Sequence, residues 1–211
     1  MQFSQLNESA FTYRLNFILI ILLSILPVVL ISGPFLSDFI IVTSSIIFLL
    51  LVVKKKEYFY LTHPLSIIFW IWCFYLILRS LFAKDILLSL ESSLFYFRFG
   101  LFSLSIWYIL NNNKNFINFF FFFLFIAFVL IIFDSFFQYI NGTNIIGIPY
   151  TGGRVSSFFG EEKILGSFLS RLFPIFIGLL IYINFSKTFK IFAIIFFFIF
   201  IDSLLYISGE R

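Results

Sequence analysis

The chain has little charge and almost no cysteine or histidine. Only 11% of its 211 residues are charged, whereas a soluble domain carries roughly a quarter. The single cysteine, Cys73, excludes an intramolecular disulfide, and the single histidine, His63, excludes a metal site made of several histidines. These absences argue against a soluble domain, a disulfide-stabilised secreted domain and a histidine-rich metal centre.

Apolar residues take the place of the missing charge. They make up 62% of the chain, phenylalanine alone contributes 37 residues, and the mean hydropathy is +1.10. Several continuous apolar runs reach the roughly 20 residues that a helix needs to cross a bilayer. Backbone groups in lipid must be satisfied within their own segment, and the runs do not alternate as strands do, so we predict helices. The sequence predicts an all-α polytopic transmembrane bundle that forms a single membrane domain over residues 1–211.

The predicted spans, about seven in number, are residues 15–32, 35–53, 64–82, 94–110, 116–140, 164–184 and 189–207. Basic residues in short loops mark the cytoplasmic side of a membrane protein. A cytoplasmic N-terminus puts seven basic residues inside, among them Lys54, Lys55 and Lys56, and leaves four outside. We therefore predict a periplasmic C-terminus and a periplasmic loop over residues 141–163. The net charge of +4 follows from this topology, and no nucleic-acid partner is predicted.

Charged side chains inside or near the spans all fall towards the predicted outer side. They are Arg79, Arg98, Asp134, Arg171 and Asp202. Such residues are costly in a membrane and usually face a cavity or one another. Arginines near span ends can also simply extend to the headgroups, an alternative that suits Arg79 and Arg98. We predict a polar cavity open to the outer face, lined by arginines that aspartates balance.

The densest cluster of charge, glycine and serine reads TGGRVSSFFGEEKILGSFLSR. Arg154 follows two glycines, the second being Gly153, which let a backbone approach a ligand closely. Its guanidinium offers a planar fork of donors that matches phosphate oxygens. Glu161 and Glu162 lie at the predicted start of span six, and acidic side chains stabilise the N-terminus of a helix. One of the two glutamates could instead orient Arg154 or act as a general base, and spacing does not decide between these roles.

Spacings of i, i+4 on two spans suggest further polar contacts. On span six they form the rows Glu162, Gly166, Ser170 and Lys163, Ser167, Arg171. These rows predict a polar side to the helix, although Gly166 and Ser170 suit a small-residue packing stripe equally well. On span five, Asp134 and Gln138 are candidates for a hydrogen-bonded pair.

The runs FDSFFQYINGTNIIGIP and GGRVSSFFGEEKILGSFLSRLFP, the segment SLFYFRFGLFSL and the terminal ISGER resemble the O-antigen polymerase and ligase family of bacterial envelope glycosyltransferases. The resemblance implies a multi-pass inner-membrane protein that acts at the periplasmic face on oligosaccharide carried by undecaprenyl diphosphate. Polymerases transfer the glycan to the next lipid-linked repeat, and ligases transfer it to lipid A–core. The implied partners are these glycans and membrane lipid, and no metal or other cofactor is required.

Carried onto this sequence, the resemblance assigns candidate catalytic roles to Arg154, Arg211 and Glu162. It assigns candidate binding of the diphosphate and glycan to Arg154, Arg171, Arg98 and Gly153. Departure of a diphosphate builds negative charge that fixed cations stabilise. The adjacent Glu161 and Glu162 do not converge on a common point, so they predict no metal site.

Members of this family are longer than this chain and carry a large periplasmic loop in their second half. We therefore expect the chain to correspond to the N-terminal half of such a protein. The segment GRVSSFFGEEKILGS favours a polymerase. The alternatives are a ligase of the same family, a transporter or flippase for lipid-linked sugars, and an inactive fragment. Pro27 and Pro174 lie inside predicted spans, and interrupted helices are common in transporters. The sequence has no internal repeat that would support transport.

Overall fold

The computed structural model describes residues 2–150, 153–160 and 164–209, with side chains from Ala10 onward. These residues form an all-α fold, and the prediction of a polytopic helical bundle is confirmed. The α-helices of the described residues are α1 (Gln2–Val29), α2 (Pro34–Lys55), α3 (Phe59–Thr62), α4 (Pro64–Ser80), α5 (Ile86–Leu94), α6 (Phe97–Asn112), α7 (Phe116–Asn141), α8 (Leu165–Tyr182) and α9 (Lys187–Ser208). Two single 3₁₀ turns, Leu30–Ser32 and Ser157–Phe159, lie in the connections.

Six helical segments of the described residues are long and apolar enough to cross a membrane, with α5 and α6 counted as one. The chain is therefore a multi-pass membrane protein, and its orientation stays a prediction. The predicted span 64–82 corresponds to α4, which has only 17 residues, the lower limit for a spanning helix of roughly 17–25 residues. Pro64 fixes its start, because proline suits the first helical turn and His63 caps the helix by accepting a hydrogen bond from Leu65.

The predicted span 94–110 begins earlier than expected. Asp85 starts α5 by accepting a hydrogen bond from the backbone N–H of Leu88 at 3.2 Å, which is a standard N-cap. The helix is interrupted at Phe95 and Tyr96 and resumes as α6. With α5 included, the helical segment begins about two turns before the predicted start at residue 94. Hydropathy did not indicate this start, which the polar cap residue Asp85 marks.

The chain divides into two compact units. Unit 1 comprises residues 1–23 and 37–116, and aromatic side chains form much of its interior. The rings of Phe48, Tyr60 and Tyr108 meet edge to face, with centroids 5.5–6.2 Å apart. Such pairs add to the stability gained by burying the rings. On α6, Gly100 packs directly under the ring of Phe69 from α4, and a Cβ at residue 100 would clash with that ring.

Unit 2 comprises residues 24–36 and 117–211. Its core joins α7, α8 and α9 through the buried rings of Phe128, Phe176 and Phe197, whose centroids lie 4.7–6.2 Å apart. Phe121 in the phenylalanine run of α7 stacks on Phe176 at 5.4 Å. Within this unit the backbone N–H of Val155 donates to the carbonyl of Ile207 at 3.4 Å. The connection between α7 and α8 therefore lies at the C-terminal end of α9.

Candidate functional site

A buried polar network lies near the C-terminal end of α7 in unit 2. Asp134 is fully buried, and its Oδ2 accepts hydrogen bonds from the hydroxyl of Ser157 at 2.6 Å and from Nδ2 of Asn144 at 3.3 Å. Its Oδ1 accepts from the backbone N–H of Ile145 at 3.0 Å. Burial of a carboxylate is tolerated only when such partners replace water. Here the connection between α7 and α8 supplies all three partners.

Gln138, one turn further along α7, holds the second half of the same connection. Its Oε1 accepts from the backbone N–H groups of Ser156 at 3.0 Å and Ser157 at 2.8 Å. Its Nε2 donates to the carbonyl of Ile148 at 3.3 Å. The i, i+4 spacing did place Asp134 and Gln138 on one face of the helix. The predicted bond between them is wrong, because each side chain instead bonds to polar groups of the connection: side-chain and backbone groups for Asp134, and backbone groups for Gln138.

Asn144 organises the first half of the connection into a closed turn. Its Oδ1 accepts from the backbone N–H groups of Ile146 at 3.0 Å and Ile148 at 2.7 Å. Its own N–H donates to the carbonyl of Ile148 at 2.9 Å. An asparagine side chain that imitates backbone hydrogen bonds in this way is a common turn device. The predicted loop 141–163 is thus, in its described part, a folded cap on the end of α7.

Ser157 lies at the centre of this cap in an unusual backbone conformation. Its φ is +51°, a left-handed value that costs about 1 kcal/mol or more for a residue with a Cβ. Three contacts hold it there: its N–H to Gln138, its hydroxyl to Asp134, and its carbonyl accepting from Nδ2 of Asn144 at 3.2 Å. The network therefore fixes the direction of the chain on either side of Ser157.

Arg154 lies three residues before Ser157 and is exposed at the surface of the chain. The three residues that follow it are all fastened through their backbone N–H groups: Val155 to Ile207, and Ser156 and Ser157 to Gln138. Before it, Gly153 has a φ of +70°, and nothing lies within 4 Å of the position that a Cβ would occupy there. The structure thus presents an exposed guanidinium from a fixed backbone, beside open space.

The side chain of Arg154 passes over Gly209, which ends α9 in the left-handed conformation with a φ of 65°. A Cβ on Gly209 would lie 3.1 Å from Nε and 3.3 Å from Cγ of Arg154. The last carbonyl groups of a helix carry partial negative charge, which favours a cation at this position. Two elements therefore position Arg154, the polar cap on α7 and the end of α9.

The remaining candidate residues of unit 2 are less well defined. Arg171 lies on α8, six residues after Leu165, or about 9 Å along the helix, and is exposed. Among the described residues, neither Arg154 nor Arg171 has an ion-pair partner. Of the predicted polar side of α8, Ser170 is exposed but Gly166 is buried. Glu162 and Arg211 lie outside the described residues.

Arg98 belongs to unit 1, at the start of α6. Its Nη2 lies 3.0 Å from Oδ2 of Asp38 on α2, and its guanidinium carbon lies 4.9 Å from the centre of the Phe99 ring. The sequence therefore predicted that an aspartate would pair with an arginine, but it did not identify Asp38 as that aspartate. The predicted balancing role of Asp134 is wrong, because its oxygens accept from Ser157, Asn144 and Ile145. A hydroxyl and two N–H groups replace the expected arginine.

Sequence reasoning missed Asn144, Ser157 and Gly209 as parts of this site. The run NGTN at residues 141–144 was a usable signal, because asparagine and glycine favour turns in which side chains bond to the backbone. In the part of the chain that the structure describes, His, Cys, Asp and Glu form no group of three that could hold a metal ion. No protein-family model, curated protein or solved structure matches this chain.

Proposed function

We propose that the chain is a membrane-embedded glycosyltransferase of the O-antigen polymerase type. It would transfer a glycan from undecaprenyl diphosphate to a sugar hydroxyl at the periplasmic face of the inner membrane. The resemblance of its sequence runs to that family supports this proposal. The observation that carries it is Arg154, an exposed arginine without an ion-pair partner among the described residues. The backbone N–H groups of Ser156 and Ser157, shortly after it, are fixed by hydrogen bonds to Gln138.

The proposed reaction needs a cation more than any other group. The bond between the anomeric carbon and a diphosphate oxygen breaks, and the acceptor oxygen forms the new glycosidic bond. The acceptor proton leaves to the diphosphate or to water, while negative charge grows on the departing oxygen. A guanidinium fixed in advance stabilises that charge without reorganising, and its planar fork matches phosphate oxygens. Arg154 would supply this charge, and the open space at Gly153 would admit the diphosphate.

A gel of surface polysaccharide tests the proposed function directly. A strain with this gene as its sole polymerase gene would be compared with a deletion strain and with the deletion strain carrying the gene on a plasmid. We expect deletion to remove the ladder of long chains and to leave single repeats attached to the lipid core. Loss of all attached glycan, with polymer remaining on the lipid carrier, would identify a ligase. An unchanged ladder would refute glycosyl transfer by this chain.

The contact between Gly209 and Arg154 predicts that a small substitution at Gly209 lowers the rate of glycosyl transfer without abolishing it. In Gly209→Ala, Arg154 must shift by a few tenths of an ångström to avoid the new Cβ. We expect the rate of transfer in membranes to fall about threefold to tenfold, because small misplacements of a catalytic group are costly. The matched control is Gly142→Ala, since Gly142 also follows a helix end with positive φ but has nothing within 4 Å. Equal rates for the two variants would show that the contact has no role.

A further inference from the structure

A groove of about 840 Å³ lies in unit 1, where the C-terminal end of α4 meets α5. The hydroxyl groups of Ser80 and Ser93 are hydrogen-bonded to each other at 2.8 Å, and the Ser80 hydroxyl oxygen lies 3.3 Å from the carbonyl oxygen of Ser89. These bonds hold α5 against the end of α4. The cap that Asp85 places on α5 fixes the turn between the two helices. Specific hydrogen bonds therefore hold together the two helices that form the groove.

The lining of the groove is cationic and rich in hydroxyl groups. Arg79 lines it, and its Nη1 donates to the hydroxyl of Tyr75 at 3.4 Å. Tyr96 and Ser92 contribute further hydroxyl-bearing side chains to the lining. Among the residues that the structure describes, no aspartate or glutamate lines the groove and none forms an ion pair with Arg79. An arginine that shares a groove with several hydroxyl groups and with no described carboxylate suits a phosphate group.

The remaining wall of the groove is apolar and includes Leu78, an exposed residue near the C-terminal end of α4. Leu76, Leu78 and Phe82 line it, and Phe82 is 90% exposed. A volume of about 840 Å³ is in the range of sites for molecules much larger than one phosphate ion, roughly 300–1,000 Å³. The ligand should therefore combine a phosphate, further polar groups and an apolar tail.

We propose that this groove binds the phosphate headgroup of a membrane lipid, with Arg79 contacting the phosphate and the hydroxyl groups contacting its glycerol or sugar portion. The apolar wall takes the first segments of the lipid tail. The proposal rests on unit 1 alone and is independent of the proposed glycosyl transfer.

Equilibrium binding to the purified full chain in detergent tests this site. The probes are dioctanoyl phosphatidylglycerol, dioctanoylglycerol without phosphate, and inorganic phosphate. We expect the phospholipid to bind about tenfold or more tightly than dioctanoylglycerol, which is a difference typical of charge-assisted hydrogen bonds. Inorganic phosphate at millimolar concentration should not displace it. Equal binding of the two lipids would overturn phosphate recognition, and full displacement by inorganic phosphate would overturn the lipid assignment.

Two variants and a control connect the binding to Arg79. Arg79→Gln should weaken phosphatidylglycerol binding about tenfold, and Arg79→Lys should weaken it less, because lysine retains the charge but not the fork. The control is Lys84→Gln, since Lys84 is a nearby exposed cation that does not line the groove. Arg79 is exposed, so the variants should keep the parental unfolding temperature. Unchanged affinity in Arg79→Gln, or an equal loss in Lys84→Gln, would refute the site.

Discussion

Replacing Asp134 with leucine is expected to release the connection between α7 and α8 from the membrane bundle. The leucine would leave the hydroxyl of Ser157, the amide of Asn144 and the backbone N–H of Ile145 without the acceptor they now share. Each buried polar group left unpaired costs about 1–3 kcal/mol. We expect the free energy of unfolding in detergent to fall by roughly 3 kcal/mol or more.

Maleimide labelling locates this effect within the chain. Ser156 is buried, so a Ser156→Cys variant in a Cys73→Ala background should react slowly while the cap is closed. Adding Asp134→Leu should accelerate labelling strongly, because the backbone around residue 156 loses its fixed path. The control Asp202→Leu removes an exposed carboxylate from α9 and should change stability by less than about 0.5 kcal/mol. Equal labelling rates with and without Asp134 would show that the network does not hold the cap.

Replacing Arg154 with glutamine is expected to abolish most glycosyl transfer without affecting the fold. Removing a fixed charge from beside a developing negative charge typically lowers the catalytic rate about 10²-fold or more. The side chain of Arg154 is exposed and makes none of the hydrogen bonds of the buried network. The amount of protein in the membrane and its unfolding temperature should therefore equal those of the parent. The measurement is the initial rate of chain extension in membranes that contain equal amounts of each variant.

Two further variants make this result specific to Arg154. Arg154→Lys should recover only part of the rate, because a lysine supplies the charge without the two-pronged donor geometry. Lys114→Gln, which removes an exposed cation from the turn between α6 and α7, should leave the rate unchanged. A parental rate in Arg154→Gln would exclude Arg154 from the site. The two variants are therefore expected to differ in kind. Asp134→Leu lowers stability, whereas Arg154→Gln lowers activity and leaves stability unchanged.

The sequence indicated some residues of the candidate site, but not the contacts between them. The glycine-rich segment around Arg154 was identified from composition, and the shared face of Asp134 and Gln138 followed from helical periodicity. The partners of these two side chains could not be derived, because Asn144 and Ser157 reach them only through the path of the folded connection. The partner of Arg98 was missed for a similar reason, since Asp38 lies on a different helix.

The sequence by itself determined that this protein is a multi-pass helical membrane protein and approximately where its spans lie. Hydropathy over about 20 residues is a local property, and lipid leaves helices as the solution for such segments. Only the tertiary structure decided that α4 is short, that Asp134 is satisfied by a folded cap, and that Arg154 lies against Gly209 at the end of α9. Those features depend on hydrogen-bond geometry and packing between residues distant in sequence, which composition and periodicity do not specify.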